Sequence, residues 1–131
     1  MVSYRQKRIS ELLREELSIL ITSELEDPRL LDAMASVTDV RVAPDLASSR
    51  VYVEHSGSPE SGRAVIEALR QSESYLRRRL LENLDLRVIP SLSFHLDTAG
   101  ERGRRVDLLL DEIARASGST AEQDARPAAD Q

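Results

Sequence analysis

The sequence lacks cysteine, and this absence excludes disulfide bonds and thiolate metal sites. It contains only two histidines, His55 and His95, which are too few for a histidine-based metal site. No apolar run approaches the roughly 20 residues that a membrane-spanning helix needs. Residues 1–9 are charged and contain no apolar core. We therefore expect no signal peptide, no membrane contact and a cytoplasmic location.

Sequence motifs of catalysis are also missing. The chain contains serine, histidine and aspartate, but it has no nucleophile elbow, phosphate-binding loop or paired metal-binding carboxylates. We expect the two histidines to fill positions in strands. The expectation is therefore a protein that is not an enzyme, with no metal, no cofactor and no small-molecule substrate.

Charge gives a mixed indication. The net charge of -5, from 18 basic and 23 acidic residues, argues against a generally basic nucleic-acid binder. However, Lys7 is the single lysine, and every other basic residue is arginine, whose planar guanidinium matches phosphate geometry. The alternative is a GC-rich genome that encodes arginine in place of lysine. The distribution of arginine along the chain is therefore more informative than the total charge.

The length of 131 residues is typical of one domain. Apolar residues at three- and four-residue spacing predict helices, and alternating apolar residues predict strands. The predicted order is a helix over residues 3–25, strands over 35–42 and 49–55, a helix capped by Ser58 with Pro59 in its first turn, a strand over 87–96 and a helix over 99–116. Residues 117–131 are small and polar, which predicts a disordered tail after a domain of residues 1–116.

Two irregularities are predicted in the strands. The apolar phase shifts within the first strand, which indicates a bulge near Thr38 and Asp39 in an antiparallel hairpin. In the last strand Pro90 has no N–H to donate, so this strand should lie at an edge of the sheet or carry a bulge. Strict alternation there places Val88 on the same face as Pro90 and Ile89 on the opposite face.

A helix interruption is predicted at residues 72–74. Ser72 falls on the apolar stripe, where a large apolar side chain is expected, and a serine can divert hydrogen bonds and bend a helix. The alternative is one continuous helix to Asn83 with a small residue at a tight helix crossing. Arg77, Arg78 and Arg79 follow the interruption, and at most two of them can reach one ligand because neighbours are about 100° apart.

The chain resembles the ribosome-binding factor A family, whose members have a type II KH-like fold. The matching segments are spread over most of the predicted domain: Asp27-Pro28-Arg29-Leu30, Val37-Thr38-Asp39-Val40, Val51-Tyr52-Val53, Leu76-Arg77-Arg78, Leu92-Ser93-Phe94 and Glu101-Arg102-Gly103. Each segment is weak alone, and their joint order and spacing carry the resemblance.

The resemblance implies an α+β domain with the order α-β-β-α-α-β-α, in which helices cover one face of a three-stranded sheet. It places the first two strands antiparallel and the third beside the first. We expect these side chains to be buried: Leu13, Leu17, Leu20, Val51, Val53, Leu69, Leu76, Leu80, Leu92, Phe94, Val106 and Leu110. The family has an interrupted helix around an alanine, and Ser72-Glu73-Ser74 occupies that place here.

The resemblance also implies a monomeric, non-enzymatic factor that binds immature small ribosomal subunits through rRNA and assists late rRNA maturation. Three groups of residues are candidates for RNA binding. They are Arg5, Lys7 and Arg8 near the N-terminus; Arg70, Ser72, Ser74, Arg77 and Arg78 around the interruption; and Arg102, Arg104 and Arg105 at the start of the last helix.

Each group also has a simpler interpretation. The first group serves solubility, the second is a solvated helix face, and the third pairs with Asp97, Asp107 and Asp111. An alternative function is a KH-like protein-interaction module whose acidic surface docks a basic ribosomal protein. Binding to naked RNA distinguishes the two functions, because only the first predicts salt-dependent RNA binding.

Overall fold

The computed structural model describes residues 2–97, which form four helices and three strands. In chain order these are α1 (Tyr4–Ser23), α2 (Pro28–Asp32), β1 (Ser36–Val42), β2 (Ser48–Glu54), α3 (Pro59–Gln71), α4 (Glu73–Asn83) and β3 (Ser91–Leu96). The predicted helix over residues 99–116, the predicted tail and the candidates Arg102, Arg104 and Arg105 lie outside the described residues.

The helix starts follow from local hydrogen bonding. Ser3 and Gln6 form a reciprocal capping box at the start of α1, with N···O distances of 3.1 and 2.9 Å. Ser58 caps α3 and Pro59 occupies its first turn, as the sequence predicts. The sequence prediction missed α2, a helix of five residues that begins because the Asp27 carboxylate accepts from Arg29 N–H at 2.9 Å.

The sheet has the order β1-β2-β3. Strands β1 and β2 are antiparallel, and their register shifts between Val37 and Asp39, which confirms the predicted bulge. Strand β3 runs parallel to β2 and pairs Leu92 with Ser49. The prediction that the third strand lies beside the first is therefore wrong, whereas its edge position agrees with Pro90 immediately before it.

In the part of the chain that the structure describes, helix α1 and not a third strand bonds this end of β1. Gln6 Nε2 donates to the Val42 carbonyl at 3.0 Å, and the Ser10 hydroxyl accepts from Val42 N–H at 3.1 Å. Both backbone groups that Val42 directs away from β2 are therefore already bonded. The chain instead crosses over through α3 and α4, and β3 pairs with the open edge of β2. The two strands are parallel, as is usual for strands joined by a helical crossover.

Strand β3 begins at Ser91 and not at residue 87, and the predicted orientations of Val88 and Ile89 are therefore wrong. Ile89 is buried at 4% exposure, whereas Val88 is 71% exposed. The strict alternation of side chains holds only for paired, extended backbone, and residues 84–90 form a connection between α4 and β3. From Leu92 onward the predicted phase is correct, with Leu92 and Phe94 buried.

The core lies between the helices and one face of the sheet. All of the predicted core residues up to Phe94 are buried, and eight of them have no exposed surface: Leu13, Leu17, Leu20, Val51, Val53, Leu69, Leu76 and Leu80. Val106 and Leu110 lie outside the described residues. The opposite face is less open than the prediction implied, since Tyr52 is 4% exposed and its ring lies 5.8 Å from that of His95.

Candidate nucleic-acid interface

A single residue interrupts the helix pair. Ser72 separates α3 from α4 with φ -97° and ψ 3°, which confirms the predicted interruption and narrows it from three residues to one. Ser72 N–H donates to Ala68 O and Leu69 O at 3.2 and 3.0 Å, and Ser72 O accepts from Leu76 N–H at 2.9 Å. No side chain caps α4, so the Ser72 hydroxyl does not act as a helix cap.

Three contacts hold the interruption against the rest of the domain. Before it, Gln71 accepts from Arg29 of α2 at 2.9 Å. After it, Glu73 accepts from Leu92 N–H of β3 at 2.9 Å. One turn further, the Tyr75 hydroxyl donates to Glu24 just beyond α1 at 2.6 Å. The bend therefore has a fixed position, because partners from three parts of the fold contact residues on both sides of it.

Glu73 has a structural partner. In sequence it is a negative charge at the point where the family resemblance places the bend. In the structure one of its carboxylate oxygens accepts from Leu92 N–H near the start of edge strand β3. No local pattern indicates this bond, because the two residues are 19 positions apart.

The three consecutive arginines of α4 point to three different partners. Arg77 donates to Ile89 O at 2.9 Å, and Arg78 lies over the Tyr75 ring, with its guanidinium carbon 5.3 Å from the ring centroid. Arg79 bonds Glu24 through two nitrogens, each at 2.9 Å. The rotation of about 100° per residue produces this divergence. Arg77 and Arg78 are exposed, whereas Arg79 is half-buried.

The cluster of Glu24, Tyr75 and Arg79 is stabilised electrostatically. Hydrogen bonds from Arg79 and then from Tyr75 lower the pKa of Glu24 from 4.5 to about 2. The same carboxylate raises the pKa of Tyr75 and raises the pKa of Arg79 further above its already high value. Glu24 and Arg79 are therefore both charged at neutral pH, and they link the end of α1 to α4.

The second candidate group lies on the first turns of α1. We call Arg5, Lys7 and Arg8 the basic turn; all three are exposed, and the first turn of α1 contains no acidic residue. Positive charge at a helix start opposes the helix dipole, which is an arrangement that an external anion would relieve. Gln6, between them, is buried at 7% exposure and bonds Val42 O, so the basic turn is fixed to the sheet.

The basic turn and the interruption are anchored to the same row of the sheet. Val42, Ser49 and Leu92 lie side by side, one on each strand. Gln6 bonds the Val42 end of this row and Glu73 bonds its Leu92 end. Adjacent strands are roughly 4.8 Å apart, so the two anchor points are separated by about 10 Å. The sequence did not predict that these two groups share an anchoring row.

The remaining candidates are also accessible. Arg70 and Ser74 are exposed on either side of the interruption, and Ser72 itself is half-buried. Within residues 2–97, Arg70 and the basic turn form no ion pair. No helix in this part of the chain is long and apolar enough to cross a membrane. In the same range, no three histidine or carboxylate side chains are grouped so that they could hold a metal ion.

These features define a class of protein. A helix pair interrupted at Ser72 lies over a mixed three-stranded sheet, and this arrangement is an α+β domain of the KH-like type. The sequence model of ribosome-binding factor A matches residues 5–110. The ribosome-binding factor A of Thermomicrobium roseum is 42% identical over 113 residues, which are 86% of this chain and 86% of that protein.

Solved structures agree with the sequence comparison. The crystal structure of ribosome-binding factor A from Thermus thermophilus is similar with a TM-score of 0.64 and 29% identity, over 72% of this chain and 98% of that one. A homology model of the Thermus thermophilus factor, fitted into a cryo-EM map of a 30S complex, is similar with a TM-score of 0.55 and 28% identity, over 74% and 96% of the two chains. The chain therefore belongs to the ribosome-binding factor A family, a family of ribosome-binding factors and not a known enzyme family.

Proposed function

We propose that this protein is an assembly factor of the small ribosomal subunit, which binds immature subunits through rRNA and assists late rRNA maturation. The observation that carries the proposal is the fixed interruption at Ser72, with Arg70 and Arg78 exposed beside it and the basic turn anchored to the same row of the sheet. The similar Thermus thermophilus factor was fitted into a map of its complex with the 30S subunit, which supports the choice of partner.

The proposed contact is electrostatic. Arginine guanidinium groups hydrogen-bond phosphate oxygens in pairs, and each neutralised phosphate releases counterions. A net charge of -5 gives no general attraction to RNA, so binding depends on where the exposed arginines lie. In this proposal the protein acts as a cytoplasmic monomer, uses no cofactor and catalyses no reaction.

Sucrose-gradient sedimentation tests the proposal directly. The full chain should migrate with small-subunit precursors, and the double variant Arg70→Gln, Arg78→Gln should remain largely at the top of the gradient. Arg77 is a poor choice for substitution because its guanidinium also donates to Ile89 O. Arg63→Gln is the matched control, since Arg63 is an exposed α3 arginine that pairs with Glu60.

The result must be separated from loss of fold. Both variants should keep the circular-dichroism spectrum and melting temperature of the parent protein, because the exchanged side chains are exposed. Equal migration of the double variant and the parent protein would show that Arg70 and Arg78 form only a solvated helix face. A parent protein that does not migrate with any small-subunit particle would contradict the proposed function itself.

The alternative is a KH-like module that docks a basic ribosomal protein and has no affinity for RNA. The net charge of -5 is the observation in its favour. Binding of the purified protein to naked small-subunit rRNA separates the two functions. The assembly factor should bind with an affinity that falls steeply with salt, whereas the docking module should not bind at all.

A further inference from the structure

An open apolar groove of about 710 Å³ lies at the start of β1, between α1 and α2. Its apolar lining comes from Ile21 of α1, Leu30 and Leu31 of α2, and Met34 in the connection to β1. Leu31 and Met34 are 54% and 72% exposed, so large apolar surface faces solvent. The candidate RNA-binding residues are not part of this lining.

Met34 has an unfavourable backbone conformation for its residue type. Its φ is +53°, in the left-handed region, where glycine is normally found at the end of a helix. The conformation belongs to the turn that ends α2, in which Ala35 N–H donates to Leu30 O at 3.0 Å. Glycine at position 34 would fit this turn without a steric cost, and methionine adds only an exposed side chain.

Leu46 has a similar backbone conformation to Met34, but its side chain has a different environment. It is the other non-glycine residue with positive φ in the part of the chain that the structure describes, at +62°. Its side chain is half-buried and packs against the core, so packing offsets the backbone cost. Met34 has no comparable compensation within residues 2–97. Met34 therefore combines a backbone cost with a side chain that is exposed beside the groove.

The charges around the groove select the kind of partner. Two titratable side chains, Glu54 and His55, are among the described residues that line the groove. The Glu54 carboxylate accepts a hydrogen bond from the Ser36 hydroxyl at 3.3 Å. Asp32 is exposed on α2 but lines a neighbouring cavity with Arg29 and is not part of this groove. Arg29, on the same helix, is paired with Asp27 at 2.7 Å. Within residues 2–97, the groove therefore presents apolar surface with the negative charge of Glu54, which repels phosphate and attracts lysine or arginine.

We propose that this groove docks a basic protein segment of the small ribosomal subunit, in which a large apolar side chain is flanked by lysine or arginine. The apolar side chain would pack on Leu31 and Met34, and a flanking cation would pair with Glu54. A second copy of this chain fits less well, because its net charge of -5 has the same sign as Glu54 in the groove. The proposal rests on the proposed function, since it takes the subunit as the source of the partner.

Photo-crosslinking tests the identity of the partner. The chain has two methionines, Met1 and Met34, so protein produced with photo-methionine carries a reactive group at only those positions. It is mixed with unlabelled purified small subunits, irradiated, and analysed by mass spectrometry. The Met34→Leu variant retains only the label at Met1 and is the matched control.

The expected result is a crosslink from position 34 to one ribosomal-protein peptide that contains a large apolar residue beside lysine or arginine. Crosslinks from position 34 to rRNA alone, or to a second copy of this chain, would overturn the proposal. The absence of any crosslink from this position, in protein that sediments with the subunit, would also overturn it.

A substitution supplies an independent readout. Met34→Gly removes the exposed side chain and suits the backbone, so the melting temperature should stay the same or rise. Affinity for purified subunits should fall several-fold, and affinity for naked rRNA should not change. Leu46→Gly, the control at the other positive-φ position, removes core contact and should lower the melting temperature.

The outcomes separate the groove from the proposed function. If the parent protein binds subunits and Met34→Gly binds them equally well, the groove proposal is wrong and the proposed function stands. If the parent protein does not bind subunits at all, both proposals are wrong.

Discussion

The two ends of strand β1 differ in chemistry. At the Val42 end, Gln6 and Ser10 of α1 bond the N–H and carbonyl groups that Val42 directs away from β2. At the Ser36 end lies the apolar groove, whose lining includes Glu54. The first end holds a basic turn of three exposed side chains. The second end displays Leu31 and Met34 beside the negative charge of Glu54, and no arginine is among the described residues that line the groove. One domain therefore offers surfaces of different chemistry at the two ends of one strand.

This contrast shows why net charge is a poor guide to the partner of this protein. Several charges are already engaged inside the fold, including Glu24 with Arg79 and Asp27 with Arg29. Glu73 is bonded to a backbone N–H of β3. A chain with a net charge of -5 can therefore present local basic groups such as the basic turn, because part of its negative charge is engaged in these contacts.

The largest expected effect comes from Gln6→Ala, which detaches the basic turn from the sheet. The substitution removes the donor to Val42 O and the acceptor for Ser3 N–H, so we expect a loss of roughly 1–3 kcal/mol in unfolding free energy. The melting temperature should fall by several degrees, and subunit affinity should fall with it. Thermal denaturation and sedimentation measure the two effects.

The control for this substitution is Ser3→Ala, which removes the helix cap but keeps the bond from Gln6 to Val42. It should cost about 1 kcal/mol and leave subunit affinity unchanged. Equal loss of affinity in both variants would mean that helix capping, and not the anchor on Val42, positions the basic turn.

The next effect separates the bond made by Glu73 from its charge. Glu73→Ala leaves Leu92 N–H without its partner, so we expect a loss of about 1 kcal/mol and weaker rRNA binding as the interruption loosens. Glu73→Gln keeps an acceptor oxygen and removes a negative charge, so it should preserve stability and tighten rRNA binding. Tighter binding by the alanine variant would show that the anchor on β3 has no role in binding.

A smaller effect concerns the pH dependence of stability. The pKa of Glu24 is lowered from 4.5 to about 2 in the folded protein, so the unfolded state binds a proton more readily. The stabilisation from this carboxylate is therefore present above pH 4.5 and is lost as the pH falls towards 2. Glu24→Gln should flatten the dependence of melting temperature on pH across this window. An unchanged pH dependence would contradict the assigned link between α1 and α4.

The smallest expected effect is that of Arg63→Gln on α3. Arg63 and Glu60 form an exposed pair at 3.4 Å, and exposed pairs of this kind contribute little to stability. We expect no measurable change in melting temperature, rRNA affinity or subunit association. A clear loss of rRNA affinity would extend the basic surface along α3 and weaken the distinction between the two ends of β1.

Much of the fold follows from local sequence signals. The apolar stripe interrupted by Ser72, the phase shift near Thr38 and the cap at Ser58 each act within a few residues, and each was predicted correctly. The position of β3 beside β2 was not predicted correctly, because it depends on bonds from α1 to Val42, which lies 32 and 36 residues away from the bonding side chains. The predicted orientations of Val88 and Ile89 were wrong because the alternation of side chains was extended to residues that precede the paired strand.

The candidate interface was predictable only in part. Composition and resemblance indicated the basic turn and the residues around Ser72, and the structure shows them exposed or half-buried. The roles of Gln6 and Glu73 depend on bonds to distant backbone groups, which no periodicity reveals. The pattern of serine followed by glutamine at Ser3 and Gln6 was a readable signal for the helix cap, although not for the anchor.

The most direct test of this account is the salt dependence of binding to purified immature small subunits. The parent protein, the Arg70→Gln, Arg78→Gln double variant and Met34→Gly are compared over a range of salt concentrations. The double variant should bind more weakly and show a shallower slope of log affinity against log salt, because fewer phosphates are neutralised. Met34→Gly should bind more weakly with the parent slope. Equal slopes for the parent protein and the double variant would contradict the assignment of rRNA binding to these arginines.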